Sequence, residues 1–325
     1  MRHATLRQLR VFATVARTLS FSAAARELHL TQPAVSLQVK QLEGYAGLPL
    51  FEKVGRRVYL TEAGRELARY AGAVTELLRE AEETLGALAG VRGGRLTIGV
   101  VSTAKYFAPT LLAEFTRLHS QVNIRLLVAN REDVVRSLAA NEIDLAIMGR
   151  PPRELATEAV TFAQHPHAII AAPSHPLAAK KRMPLARLAD ENFLIREPGS
   201  GTRSSMERVF HERGATFRAS MEMSSNETIK QAVMAGMGVS FLSLHTVGLE
   251  LETGRLVLLD VAGLPVMREW HVIHLRDKRV SPAARLFRDF LLEHGAALIE
   301  RATGVRPVQA AAPRKSAPRR AAARR

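Results

Sequence analysis

The stretch that decides the fold of the N-terminal part is residues 31–43, which read TQPAVSLQVKQLE. Within it Val35, Val39 and Leu42 recur at spacings of four and three, the period of an α-helix that buries one apolar face. The opposite face of such a helix is left for solvent or for a partner. The stretch therefore predicts a packed helix with a free outer surface.

The outer face of this predicted helix carries Gln32, Ser36 and Lys40, which lie four residues apart. An amide and a hydroxyl, followed by a cation, suit a helix that reads base edges and touches phosphate in the DNA major groove. Thr31 is placed to cap the helix, and Pro33 falls in the first turn, where proline is tolerated. We interpret this as a recognition helix rather than an ordinary solvated face.

The flanking residues predict a winged helix-turn-helix. Residues 6–16 carry a helical apolar stripe that begins at Leu6, and Ser22 is expected to cap a short second helix. Residues 50–60 read as a tight hairpin whose tip holds Arg56. A small helical unit followed by a basic hairpin is typical of a DNA-binding domain.

The next stretch predicts a dimerising linker helix. Its apolar residues alternate spacings of four and three, the seam of a coiled coil, and they are Leu67, Ala71, Val74, Leu78, Ala81, Leu85 and Leu88. The alternative is a helix that lies on its own domain, because Gly72 and Gly86 weaken the helix and alanine is a modest seam residue.

After the linker the pattern changes to alternating strands and helices. Residues 96–101, 122–129 and 143–148 read as buried strands separated by helices, which predicts a parallel sheet covered on both faces. A second alternating set spans 168–244, and 270–294 returns to the first lobe. Two α/β lobes joined by two crossings enclose a cleft, as in periplasmic binding proteins.

The fold class is therefore α+β and multidomain. The predicted parts are a winged helix-turn-helix at 1–65, a coiled-coil linker helix at 61–90, a two-lobed effector-binding domain at 91–300 and a disordered basic tail at 301–325.

The charge distribution supports a nucleic-acid partner. The 325-residue chain has a formal net charge of +15, which calls for a polyanionic partner, a membrane surface or a special tail. Residues 306–325 hold seven Lys or Arg and no acid, and residues 1–65 hold ten Lys or Arg against four Glu. The tail adds non-specific DNA affinity or is simply solvated.

The composition also excludes several classes of protein. There is no cysteine, so disulfides and thiolate metal sites are ruled out. Arginines interrupt the N-terminal apolar runs, which argues against a signal peptide, and no apolar stretch is long enough to span a membrane. We expect a cytoplasmic protein that uses double-stranded DNA as partner.

The predicted cleft collects groups that suit an anion. Helix N-termini follow the first strand and residues 199–201, and such termini present unpaired N–H groups. The candidate effector-binding residues are Ser102, Thr103, Lys105, Asn130, Arg150, Thr202 and Arg203. This is more positive charge than one carboxylate needs, so we expect a phosphorylated ligand.

Enzyme and metal functions find little support. GSG at 199–201 lacks the third glycine of a dinucleotide-binding loop, and no nucleophile-elbow serine is present. His271 and His274 fall on opposite faces of a strand, and His165 with His167 lack a third ligand. No cofactor and no metal are expected. A solute-binding protein with an accessory basic domain shares the two lobes but not the first 90 residues.

The N-terminal residues resemble the LysR-type transcriptional regulators. The resemblance rests on residues 12–17, 22–28, 31–36, 41–43, 48–51, Arg56 and 60–64. It implies that Gln32, Pro33 and Ser36 lie at base edges or the adjacent backbone and that Arg56 on the wing enters the minor groove or touches phosphate. Leu37 departs from the family, in which arginine is frequent, and puts a base contact there in doubt.

A narrower resemblance links residues 101–107, 128–132 and 144–152 to the CbbR group, the regulators of carbon-dioxide-fixation (RuBisCO, Calvin cycle) operons. It implies an effector such as a phosphorylated sugar, phosphoenolpyruvate or a reduced dinucleotide phosphate, and a homo-oligomer, dimer or tetramer, that binds a roughly palindromic operator. The alternative is a LysR-type regulator of another metabolic operon.

Overall fold

The computed structural model describes residues 1, 3–55, 57–88 and 94–305. The α-helices are α1 Leu6–Thr18, α2 Phe21–Glu27, α3 Gln32–Ala46, α4 Glu62–Leu88, α5 Ala108–Leu118, α6 Arg131–Ala139, α7 Gly201–Glu212, α8 Asn226–Met234, α9 Gly248–Glu252 and α10 Pro282–Thr303. The strands are β1 Phe51–Val54, β2 Arg57–Leu60, β3 Gly94–Val101, β4 Val122–Ala129, β5 Leu145–Met148, β6 Thr157–Ala171, β7 Asn192–Arg196, β8 Arg218–Met223, β9 Ser240–Ser243, β10 Val257–Leu258 and β11 Val266–Leu275.

The first three helices and the β1–β2 hairpin form a winged helix-turn-helix, as predicted. Two details of the prediction were wrong. Ser20, not Ser22, caps α2, because its side chain accepts the N–H of Ala23. The buried face of α1 is built on Val11, Phe12 and Val15, whereas Leu6 is exposed, since the helix turns that face towards α3 and α4.

The linker helix α4 divides into two parts. Near its start Leu67 and Ala71 pack on Phe12 and Leu42 in the core of the winged domain, so this part of the seam belongs to its own chain. Farther along, apolar side chains remain exposed, namely Tyr70, Val74, Leu77, Leu78 and Leu85. We call these five residues the open stripe. The side chain of Leu88 lies outside the described residues, and contact of the stripe with a second copy stays a prediction.

A buried lysine joins the linker helix to the rest of the chain. The ammonium of Lys278 donates to Glu76 on α4 at 2.9 Å and to Asp144 at 3.0 Å. Asp144 also accepts the backbone N–H of Thr97 at 2.8 Å. Charge-assisted hydrogen bonds of this kind are stronger than neutral ones. They therefore fix the position of α4 against the C-terminal domain.

The C-terminal domain has the two α/β lobes that the sequence predicts. In lobe I, β3 lies between β4 and β5 and pairs with both in parallel, which confirms the βαβαβ pattern. In lobe II, β7 pairs with β8 in parallel, and β9 pairs with β6. Each lobe encloses its own apolar core.

Two long antiparallel strands, β6 and β11, connect the lobes. The sequence predicted only the C-terminal parts of both strands, residues 168–172 and 270–275, because the earlier residues of each strand do not keep an apolar alternation. The β6–β11 register shifts between Trp270 and His271, where the chain passes from one lobe to the other. Trp270 is completely buried at this point, so the crossing is a packed junction.

The last helix is longer than predicted. The sequence placed its end at His294 and the start of the tail at residue 301, but α10 runs to Thr303, where Gly304 takes the left-handed conformation of a helix end. Residues 306–325 of the predicted tail lie outside the described residues. In the described part of the chain, no helix is long and apolar enough to cross a membrane.

Candidate nucleic-acid interface and interlobe cleft

The recognition helix is built as its sequence predicts. The side chain of Thr31 accepts the N–H of Ala34 at the start of α3, and Val35, Val39 and Leu42 are buried. This packing leaves Thr31, Gln32, Pro33 and Lys40 exposed and Ser36 half-buried on the outer side. The amide of Gln32 donates to the hydroxyl of Ser36 at 3.1 Å, so the two side chains form one polar unit.

Leu37 is more than half exposed beside Ser36. An apolar side chain here offers methyl groups rather than the donors of an arginine, which fits contact with a thymine methyl and not with guanine. The departure noted in the sequence therefore lies on the surface that faces outward.

The wing is tied to the recognition helix by Glu43, which sequence reasoning did not single out as functional. Its carboxylate accepts the backbone N–H groups of Leu50 at 2.8 Å and Phe51 at 3.3 Å. Gly64 allows the start of α4 to approach the backbone of Leu50 closely, since a Cβ there would collide with the carbonyl of Leu50. Arg56 itself lies outside the described residues.

A cleft between the lobes contains five of the seven predicted effector residues. Ser102, Thr103, Asn130, Arg150 and Thr202 all line it. The first four follow β3, β4 and β5 at the carboxyl edge of the parallel sheet, where α/β folds bind their ligands. The side-chain oxygen of Asn130 is used as the cap of α6, accepting the N–H of Asp133 at 2.9 Å.

Lys105 and Arg203 are not among the residues that line this cleft, so the structure does not bring them together with the other five. The ammonium of Lys105 lies 5.2 Å from the centre of the Tyr106 ring. Arg203 pairs with Glu207 at 2.9 Å and Glu222 at 2.6 Å. The sequence placed both residues near the cleft. In the structure, the side chain of Lys105 lies against the Tyr106 ring and that of Arg203 contacts Glu207 and Glu222.

Two arginines that the sequence analysis missed, Arg196 and Arg268, line the cleft. Arg196, at the end of β7, is buried and donates to Ser102 of lobe I at 3.1 Å. Arg268 on β11 donates to the carbonyls of Gly149 at 3.2 Å and Gly201 at 3.4 Å. Burial lowers the pKa of Arg268 to about 10, with help from Arg208 and Arg150. Both residues bridge the lobes.

His165 forms the floor of the cleft, directly opposite Arg268 in the β6–β11 pairing. Its ring stacks on Trp270 with centroids 3.7 Å apart, and neither ring nitrogen has a hydrogen-bond partner among the described residues. Burial, with the neighbouring His167 and Arg268, lowers the pKa of His165 well below its ordinary value. The ring is therefore neutral and can donate one N–H to a ligand.

The start of α7 adds donors to the same cleft. Its N-cap Ser200 is buried and makes no side-chain cap bond, so the first N–H groups of α7 depend on another acceptor. Within the described ranges, no group of three or more His, Asp or Glu residues could hold a metal ion. The arrangement suits an anionic organic ligand.

A winged helix-turn-helix joined by a long helix to a two-lobed domain with a cleft between its lobes is the architecture of a ligand-responsive DNA-binding regulator. The family model described as "Bacterial regulatory helix-turn-helix protein, lysR family" matches residues 6–65. The model described as "LysR substrate binding domain" matches residues 89–296. The chain belongs to the LysR family of transcription regulators and is not an enzyme.

Individual relatives are similar over nearly the whole chain. A RuBisCO operon transcriptional regulator of Allochromatium vinosum is 54% identical over 294 residues, covering 90% of this chain and 97% of the relative. The regulator CfxR of Cupriavidus necator is 54% identical over 304 residues, covering 94% and 96%. The solved regulatory domain of CcmR from Synechocystis PCC6803, in complex with 2-PG, is 40% identical with a TM-score of 0.60 and covers 62% of this chain and 96% of that domain.

Proposed function

We propose that this regulator controls a carbon-dioxide-fixation operon in the cytoplasm and senses a small phosphorylated anion between its lobes. The relative from Allochromatium vinosum is named as a regulator of the RuBisCO operon, and the CcmR domain was solved with 2-PG. The observation that carries the effector proposal is the surplus of arginine in the cleft. Arg131, Arg150, Arg196 and Arg268 all line it. Arg196 pairs with Glu197 at 2.7 Å and Arg131 with Glu154 at 3.6 Å, whereas Arg150 and Arg268 have no carboxylate within ion-pair distance in the described part of the chain.

The charge of the cleft separates ligand classes. A neutral sugar cannot offset several guanidinium groups, whereas a phosphate carries two negative charges and matches the arginine fork. Phosphorylated sugars, phosphoenolpyruvate and a reduced dinucleotide phosphate all meet this requirement. Arg196 and Arg268 bridge the lobes, so a ligand that replaces their present acceptors changes how the lobes are held together.

The DNA-binding part of the proposal places Gln32, Pro33 and Ser36 at base edges or the adjacent backbone. Thr31 and Lys40 lie on the same DNA-facing side, with Lys40 at phosphate, and Arg56 on the wing enters the minor groove or touches phosphate. The exposed N-terminal end of α3 supports the first group. Two copies are expected to pair through the open stripe, as a dimer or within a tetramer, and to read a roughly palindromic operator.

A mobility-shift experiment tests the proposed function. DNA upstream of carbon-dioxide-fixation genes of the same genome is compared with the promoter of an unrelated metabolic operon, with and without phosphorylated acids. We expect preferential binding to the first DNA and a changed affinity or footprint with ligand. Selective binding to other promoters in a genome-wide selection would instead identify a LysR-type regulator of another operon.

A further inference from the structure

The middle of the outer face of α3 is occupied by a leucine rather than by a polar side chain. Successive residues of a helix are turned by about 100°, and the buried side of α3 is set by Val35, Val39 and Leu42. With this spacing Leu37 lies about 190° from the centre of the buried side, and Pro33 lies one turn before it. In a helix that enters the major groove, the side turned away from the core meets the base edges. Leu37 is therefore placed where a sequence is read.

The side chain of Leu37 is not used in the packing of the winged domain. It is 55% exposed, more than any other large apolar side chain of α1, α2 and α3. Among the described residues, it belongs to neither apolar cluster of that domain. A single exposed leucine is ordinary on a protein surface, but this one lies on the face that we assign to DNA. Its apolar surface stays in water until a partner covers it.

The polar side chains on either side of Leu37 are already hydrogen-bonded. On one flank the amide of Gln32 donates to the hydroxyl of Ser36 at 3.1 Å. On the other flank the side-chain oxygen of Gln41 accepts a hydrogen bond at 3.1 Å from the amide of Gln8, which is buried on α1. The methyl groups of Leu37 consequently stand exposed between two fixed polar neighbours.

A leucine distinguishes bases in the major groove by one group. Thymine is the base that presents a methyl group there, whereas guanine, adenine and cytosine present hydrogen-bond donors and acceptors. Contact between leucine and the thymine methyl removes apolar surface of both from water. Contact with a donor or acceptor displaces its water without replacing the hydrogen bond, which is unfavourable. The side chain thus favours thymine over the other three bases.

We propose that Leu37 is a specificity-determining residue, which selects a thymine by its C5-methyl group in each half of the operator. The contact adds an apolar element to the polar readout by Gln32 and Ser36. It involves no phosphate, so Leu37 contributes to the choice of sequence and not to the salt dependence of binding. This inference rests on the proposed function, because it requires α3 to enter the major groove of an operator.

Removal of single thymine methyl groups from the operator tests the proposal. The full chain first selects its operator from a random DNA pool, and each thymidine of a half-site is then replaced singly by deoxyuridine, which lacks only the methyl group. In competition mobility shifts we expect one replacement to weaken wild-type binding by about threefold to fivefold, as for the loss of one buried methyl group. The same replacement should have almost no effect on Leu37→Ala, because the partner of the methyl group is gone.

Two further variants sharpen the test. Leu37→Arg places a guanidinium fork at the same point of the helix, and a repeated selection should replace thymine by guanine at this position. The matched control is Leu6→Ala, which removes a leucine that is 49% exposed on α1 and should keep the wild-type response to deoxyuridine. All three variants change exposed side chains, so circular dichroism should show an unchanged fold. The salt dependence of Leu37→Ala should equal that of the wild type.

Several results would overturn the thymine contact. One is the absence of any deoxyuridine replacement that weakens the wild type more than Leu37→Ala. Another is the retention of thymine by Leu37→Arg at the position in question. Equal losses of Leu37→Ala on operator and random DNA would place the side chain at the DNA backbone. A lower mass of Leu37→Ala in light scattering, with an unchanged base preference, would make Leu37 a contact between subunits.

The outcome for the proposed function is separate. If the deoxyuridine effect depends on Leu37 but the selected operator does not occur upstream of carbon-dioxide-fixation genes, the thymine contact stands and the proposed function fails. If the operator occurs there and no deoxyuridine effect depends on Leu37, the proposed function stands and the thymine contact fails.

Discussion

The outer face of α3 takes its polar side chains from residues 31–40, whereas the interlobe cleft joins positions as far apart as Ser102 and Arg268. The first surface is local, since one helix with a buried face orients every residue on it. The second depends on strand ends, helix starts and crossing strands that meet only in the folded domain. Mutations should accordingly act independently on DNA and on effector.

The two regions also differ in the burial of their histidines and arginines. In the winged domain His3 and His29 are exposed, and the predicted contacts face water. In the C-terminal domain His165, His167 and His245 are buried, and several arginines line a shared space.

Salt should separate the two regions most strongly. Neutralising about six phosphates makes DNA affinity fall by about a thousandfold between about 50 and 200 mM salt, and at least tenfold with fewer contacts. Effector binding in a partly buried site should be screened less. Mobility shifts and calorimetry across the same salt series check this, and a flat DNA response would contradict the assignment of the recognition surface.

Acid should weaken the C-terminal domain selectively. Burial lowers the pKa of His245 from 6.5 to about 4, so the unfolded chain binds more protons than the folded chain between these values. The contribution of His245 to the free energy of unfolding is fully present above about pH 6.5. It is lost as the pH falls towards 4, and the loss is about 3 kcal/mol.

Denaturant unfolding followed by Trp270 fluorescence at pH 7 and pH 5 measures that loss. His245→Asn should make the dependence on pH shallower, whatever its effect on absolute stability. Hydrogen exchange of α1 and α3 in the same chain provides the comparison, because these helices belong to the winged domain and do not contain His245.

Leu78→Asp tests whether the open stripe contacts a second copy. Leu78 is 41% exposed in the single chain, so the change is tolerated by one subunit but places an unpaired carboxylate in a helix pair. We expect loss of dimers and about a hundredfold weaker operator binding, because the second half-site no longer adds effective concentration. Light scattering measures the mass, with Arg69→Asp on another face of α4 as control; an unchanged mass for Leu78→Asp would mean that the stripe packs within one chain.

Gln32→Ala or Ser36→Ala should cost about 1–3 kcal/mol on the operator and much less on random DNA, as expected for side chains that read bases. Because the two side chains are hydrogen-bonded to each other, the double variant should lose less than the sum of both. Competition mobility shifts give both values. Equal losses on both DNAs would reassign the pair to the phosphate backbone.

Arg150→Ala should weaken phosphorylated effectors by about 1.5 kcal/mol or more through loss of a charged hydrogen bond. DNA affinity without effector should barely change, because Arg150 lies in the C-terminal domain. Lys105→Ala is the matched control, since Lys105 lies outside the cleft. Calorimetry measures effector affinity in both variants. Equal weakening by Arg150→Ala and Lys105→Ala would mean that Lys105 also contacts the effector.

The parts of the fold that sequence predicted well are those with local periodicity. The range of β4 is as predicted, and α3 begins at its predicted cap. The crossing strands β6 and β11 were each predicted only in their C-terminal parts, because the residues before 168 and before 270 alternate poorly. The cap of α2 shifted from Ser22 to Ser20 because serine stands at both positions and only the helix phase selects one.

The same division explains the site residues. Ser102, Thr103, Asn130 and Thr202 were found because they follow strands or begin helices, which are places that sequence pattern locates. Arg196, Arg268 and His165 lie within or at the end of strands, where no motif separates them from structural residues. Their relation to the cleft follows from the register of β6 with β11 and from the closure of two lobes.

The sequence by itself determined the winged helix-turn-helix, the α/β lobes and the family, because helical and strand periods, caps and turn residues act over a few neighbours. Only the tertiary structure decided which cations share a site. Arg203 and Arg208 lie five residues apart on α7, yet the first pairs with carboxylates at the surface and the second lines a pocket together with Arg150 and Arg153. A side chain's partners depend on the elements packed around its helix, and spacing along one chain does not encode them.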